Sequence, residues 1–242
     1  MRRAACAAIL LALAGCAARP PVAVHKSEPV ITLAGSVLTF RGHITSRSYA
    51  AVLAAAGQAP VRTLRIRSGG GEVGNAIDIA RWVHRNSIDV VVDGICFSSC
   101  SNYIFPAGRE KHIVAGGLVA WHGTIEHMLY MQKGRLQTPD PTLPAIESMA
   151  ARERAFYADA GINGYISWFG KIAPYHVANL YFLSPEDMAY FGLTGLQVRD
   201  NYLASDLAPF NATEKDTIRL LKVDRSVTNR SDPNWIDYQR PK

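Results

Sequence analysis

Two adjacent serines and a distant histidine carry the chemistry this sequence can do. The stretch Gly94-Ile95-Cys96-Phe97-Ser98-Ser99-Cys100-Ser101-Asn102-Tyr103 follows the apolar run Val90-Val91-Val92 and leads to Pro106-Ala107-Gly108. A strand that turns sharply into a helix exposes a serine hydroxyl at the turn, beside helix-start N–H groups that favour developing negative charge. Ser99 is expected at that point. His122, in Val119-Ala120-Trp121-His122-Gly123, is expected to take its proton. A serine so activated attacks a carbonyl carbon, and the oxyanion that forms needs donors. Ser68-Gly69-Gly70-Gly71 offers them, because residues without side chains let a backbone N–H approach a carbonyl oxygen closely. Alone, a serine pair is usually a helix cap and a histidine beside tryptophan a packed core residue. Together with the triple glycine and the strand–turn–helix context they point to a site.

The elements that must position these residues alternate along the chain. Residues 30–33 and 37–40 read as short strands around Ala34-Gly35, and a helix is expected over 46–56. A strand over 61–67 enters the glycine loop. A helix over 75–85 follows, with Ala76, Ile77, Ala80 and Val83 at helical spacing. Residues 88–92 form a strand into the serine turn, and a helix continues through Phe105. Further strands are expected at 112–114 and 118–121, a Pro- and Thr-rich loop at 134–142, and helices over 145–160 and 165–180, broken at 161–164. These two helices are expected to wall the substrate cleft. One short strand follows Gly195, and 224–242 reads as a solvated tail. Such alternation predicts an α/β fold with a largely parallel sheet.

The glycines also satisfy a dinucleotide-binding pattern. Gly69 to Gly74 fits G-x-G-x-x-G after a strand and before a helix, with Asp93 near the place of a ribose-binding acid. That reading leaves Ser99 and His122 without roles and puts two strands and a helix before the supposed first strand, so it is set aside. His43, His84, His127 and His176 lack partners in sequence and read as structural.

The N-terminus has the form of an export signal. Arg2 and Arg3 precede a short apolar run, Ala4 to Leu13, which ends in Leu13-Ala14-Gly15-Cys16. This resembles the bacterial lipobox and implies lipidation of Cys16 after removal of residues 1–15. Ala17 and Ala18, with no aspartate after the cysteine, imply outer-membrane sorting, facing the periplasm. Residues 17–29 read as a tether, 30–205 as one α/β domain and 206–242 as a polar C-terminal extension. Loss of Arg2 and Arg3 lowers the formal charge from +6 to +4. No basic stripe with interleaved aromatics is present, so nucleic-acid binding is not expected. Cys96 and Cys100 remain in an oxidising compartment, either as a disulfide bracing the serine turn or as two buried thiols. Cysteine and histidine spacing gives no zinc pattern, and no metal or organic cofactor is expected.

With these residues assembled, the chain resembles the Clp protease proteolytic subunit and the wider Clp/crotonase superfamily, closest to exported forms with a Cys-rich serine turn. The family's Ser-Pro-Gly-Gly loop is matched by Ser68-Gly69-Gly70-Gly71. Its serine turn, aligned without a gap through Gly108, is matched by Ser98-Ser99-Cys100-Ser101-Asn102, a register that selects Ser99. Its strand ending in histidine is matched by Val119 to His122, and its Phe-Leu-Ser segment by Phe182 to Leu193. The resemblance implies a mostly parallel sheet built from repeated β-β-α units with flanking helices. It implies Ser99 as nucleophile, His122 as base, and the N–H groups of Gly71 and Cys100 as the oxyanion hole. Peptide substrates and self-association into rings or trimers are implied likewise. Leu180 stands where the family has its acid, so Asn179 is the candidate orienter of the imidazole, and Lys171 the candidate for a Ser-Lys dyad. The resulting expectation is an exported serine hydrolase, a peptidase, with an inactive envelope binding or assembly module of the same fold as the alternative.

Overall fold

The computed structural model describes residues 28–133, 141–204 and 218–228. Cys16, the signal and the tether up to residue 27 lie outside the described residues, as do 134–140 of the expected loop.

The strands are β1 (Val30–Ala34), β2 (Val37–Arg41), β3 (Thr63–Ser68), β4 (Asp89–Phe97), β5 (Lys111–Ile113), β6 (Leu118–Ala120), β7 (Leu180–Phe182), β8 (Leu196–Val198) and β9 (Ile218–Leu220). The helices are α1 (Ser46–Ala56), α2 (Val73–Arg85), α3 (Phe105–Ala107), α4 (Ile125–Lys133), α5 (Leu143–Ala160) and α6 (Pro185–Tyr190). Seven strands form one sheet in the order β1-β2-β3-β4-β5-β8, with β6 also paired to β4. Only the β1–β2 hairpin is antiparallel; the other pairs in this sheet are parallel. The architecture is a mixed α/β fold with a mostly parallel sheet.

Burial of one face explains the alternation in the central strands, where Arg65 and Arg67 of β3 face solvent. Leu64 and Ile66 of β3, and Val90 and Val92 of β4, have no exposed surface. Helix α2 buries Ala76, Ile77, Ala80 and Val83, the stripe read from its spacing, and Ile79 with them. Helix α1 begins at a capping box in which Thr45 and Ser48 exchange side-chain-to-backbone hydrogen bonds.

Strand β4 runs past the expected end at residue 92, and this extension positions the site. Its first half pairs with β5, through Val90 to Val92, and its second half with β6, through Ile95 to Phe97. Between them the register against β3 shifts, so that Ile66 faces Val92 but Ser68 faces Cys96. Gly94, at φ +109°, sits in this bulge, where a side chain would strike Arg67. The bulge redirects β4 toward β6 and the serine turn.

Two expectations change. Residues 165–180 form no long helix but two single 3-10 turns, Gly164–Ser167 and Phe169–Lys171, then strand β7. Tyr165, Ile166, Trp168 and Phe169 are all buried, so this segment has no polar face to give water. Phe169 instead packs edge-on to Tyr165, Tyr175 and Tyr181. Helix α4 has no counterpart in the sequence reading, because exposed Met128, Tyr130 and Met131 obscure its apolar stripe. Part of the expected C-terminal extension returns to the fold, since β9 pairs in parallel with β7 and Val223 and Thr228 are buried.

Candidate active site

The pairing of β4 with β6 sets Phe97 beside Ala120. One residue beyond the first is Ser98, and two beyond the second is His122. Ser98 adopts φ +57°, a left-handed conformation that costs a non-glycine residue energy and turns the chain sharply out of the strand. Its N–H donates to Ala120 O at 3.3 Å, and its carbonyl accepts from Asn102 N at 2.8 Å. The turn is tied to the histidine strand at three further points. Ser101 Oγ donates toward Ala120 O at 2.6 Å, Trp121 Nε1 donates to Ser101 O at 3.1 Å, and Asn102 Nδ2 donates to Gly123 O at 2.9 Å.

These ties bring Ser98 Oγ and His122 Nε2 to 2.7 Å. The pairing expected for Ser99 is therefore made by Ser98. Ser99 is 3% exposed, and its hydroxyl donates to Gly71 O at 2.8 Å. The reason for the one-residue difference lies just downstream. Cys100–Ile104 is a π-helix, in which Phe105 N donates to Cys100 O. A π turn holds one more residue than an α turn. A gapless count back from Gly108 therefore lands one residue late, on Ser99.

With Ser98 in that position, the donors expected for an oxyanion shift as well. The N–H that follows Ser98 belongs to Ser99, in place of Cys100. The expectation for Gly71 is unchanged: Ile44 donates to Gly70 O and accepts from Glu72 N, both at 2.9 Å, so the Gly71 N–H between them is not used in that ladder. Gly70 packs so closely that an added Cβ would lie 2.7 Å from Ser98 Cβ and 2.9 Å from Ser99 N. An added Cβ on Gly71 would lie 2.1 Å from Ile44 O. The glycines let the loop lie against the serine turn, and the Ser99–Gly71 bond fastens it there. The dinucleotide reading finds no support in Asp93, which pairs with Arg41 and Arg65.

Of the two states left open for Cys96 and Cys100, the structure has the disulfide, with Cα atoms 5.2 Å apart. It closes around Phe97, Ser98 and Ser99 and joins the end of β4 to the first residue of the π turn. Both sulfurs belong to fully buried residues.

His122 stands at the cleft rim with its outer face open to solvent. Packing behind the ring, and secondly the Lys171 ammonium, push its pKa below the ordinary imidazole value. A lowered pKa keeps the ring neutral near pH 7 and able to accept the Ser98 proton. The Trp121–Tyr181 bridge is antiparallel, so Leu180 lies opposite His122. Asn179 does not hydrogen-bond to the imidazole among the described residues; its carbonyl accepts from Lys171 Nζ at 3.2 Å, and Ala178 O accepts at 2.6 Å. Lys171 is thus held on carbonyls rather than on a serine, and the Ser-Lys arrangement is not formed. Asn179, the orienter read from the sequence, does not take that role.

A cleft of about 240 Å³ opens over this pair, lined by Ser98, His122, His127, Val73, Ile125 and Met128 among others. Its outer wall comes from α4, the unforeseen helix, rather than from α5. Helix α5 lies behind the site, where fully buried Glu153 accepts from Tyr103 Oη at 2.8 Å and from Ile125 N at 3.3 Å. Tyr157 Oη donates to Asn102 O at 2.7 Å.

No family model matches this chain, and no curated protein does. A solved structure that matches is a ClpP1 mutant from Listeria monocytogenes, at 18% identity. The match covers 69% of this chain and 92% of that one, with a TM-score of 0.43.

Proposed function

We propose that this protein is a serine hydrolase of the Clp/crotonase type that acts on peptide substrates, with Ser98 as nucleophile. The observation that carries the reading is the 2.7 Å contact of Ser98 with His122 at a left-handed strand-to-helix turn. In the reaction, His122 Nε2 takes the Ser98 proton as Oγ bonds to the substrate carbonyl carbon. The carbonyl oxygen gains the negative charge and is held by the Gly71 and Ser99 N–H groups. The tetrahedral intermediate then expels the leaving amine, which takes the proton from His122. Water repeats the sequence on the acyl-serine and restores the enzyme.

A fluorophosphonate probe tests this on the purified protein. The parent should be labelled, and Ser98→Ala should abolish labelling. His122→Ala should slow it by roughly 10²-fold or more, while Ser99→Ala should retain a labelled serine at reduced rate. Labelling that survives Ser98→Ala and disappears in Ser99→Ala would overturn the assignment. A second reading, an inactive binding module, draws on Lys171 standing beside the place where an acid would orient His122; a folded parent that takes no label would favour it.

The sequence of the first sixteen residues supports a location in the cell envelope. In this proposal lipid on Cys16 holds the domain at the outer membrane, facing the periplasm.

A further inference from the structure

Beside the proposed active site stands one cation, Lys171, with no matching anion among the described residues. Leu180 lies opposite His122, and Lys171 Nζ is fixed on the carbonyls of the two preceding residues, Ala178 and Asn179. His127, in the first turn of α4, lines the cleft and stacks on Trp168 at 6.0 Å between ring centroids. After burial, the Lys171 charge is the next cause lowering the pKa of both imidazoles. Of the carboxylates on α4 and α5, Glu126 pairs with Arg154, Glu153 is buried beneath Tyr103, and Glu147 and Asp159 are exposed to solvent. Lys171 makes no ion pair among the described residues. Acyl transfer would add a further positive charge here, because His122 must become imidazolium. An anion arriving with the substrate would offset that charge at the step where it develops.

We propose that the cleft takes acyl substrates bearing a carboxylate close to the scissile bond, bound by Lys171 and His127. The inference rests on the hydrolase reading and names the substrate class for it. A lysine ammonium has three N–H donors, and two carbonyls leave one for a carboxylate oxygen. The carboxylate would then supply, only while substrate is bound, the negative charge that the chain does not place beside His122. A peptide C-terminus and an acidic side chain both carry this chemistry.

Three small probes separate the cases: N-acetyl-dialanine with a free carboxylate, its C-terminal amide, and the amide of N-acetyl-alanyl-aspartate. Binding to the purified protein is read from the ring signals of His122 and His127 by nitrogen-correlated NMR. At least one acid should bind roughly tenfold or more tightly than the neutral amide. It should also raise the pKa of both rings, and Lys171→Met should remove the preference in a protein whose spectrum stays folded. The stronger acid identifies the source of the carboxylate. Equal binding of acid and amide, no binding of either acid, or a preference that persists in Lys171→Met would overturn the inference. Acid binding by a protein whose Ser98 takes no fluorophosphonate would uphold it while defeating the hydrolase reading. Labelling without acid preference would do the reverse.

Discussion

At the residue scale, the site is decided by where two neighbouring hydroxyls point. Ser98 sits in the left-handed turn and meets the imidazole; Ser99 begins the helical segment and holds the glycine loop. Their types and the role of His122 were legible in the sequence, but their order was not, because the π turn that shifts the count is a feature of folded backbone. His122 also sets the pH response. Its lowered pKa keeps it neutral above the acid range, so kcat/KM should rise with pH to half its plateau below the ordinary imidazole value. Removing the Lys171 charge makes the imidazolium easier to form. Lys171→Met should therefore move the midpoint of that limb upward, and a pH–rate series on both proteins checks it.

At the element scale, the redirected half of β4 and the short β6 carry the serine and histidine, while α5 closes the back of the site. The buried carboxyl of Glu153 on α5 is pushed up to about 7 by desolvation. Between the ordinary glutamate value and about 7 the folded protein keeps this proton and the unfolded chain has released it. Stability is therefore lost as pH rises through that window and is flat above it. The loss is on the order of 3 kcal/mol. Glu153→Gln, which keeps a polar partner for Tyr103 without an ionisable proton, should flatten the dependence. Urea unfolding across the window measures it, and an unchanged slope would show that Glu153 is not its source. No periodicity in α5 announces this, since a glutamate on an amphipathic helix normally faces water.

At the scale of the whole molecule, one mostly parallel sheet gathers glycine loop, serine turn and histidine at the same ends of neighbouring strands. The N-terminal segment adds the proposed attachment. Cys16→Ser should abolish labelling by a fatty-acid analogue and release the protein from membranes; unchanged fractionation and labelling would sink the lipid tether. The sequence by itself determined the strand–helix alternation, the α2 face, and the residue types of the site. Each of these follows from local periodicity, turn chemistry or composition. Tertiary structure alone decided that Ser98 rather than Ser99 meets His122, that Cys96 and Cys100 are joined, and that Lys171 stands beside Leu180 near the imidazole. Those outcomes depend on strand register, on an extra residue in one helical turn, and on a segment without an amphipathic face, all of which are fixed by packing between residues far apart in the chain.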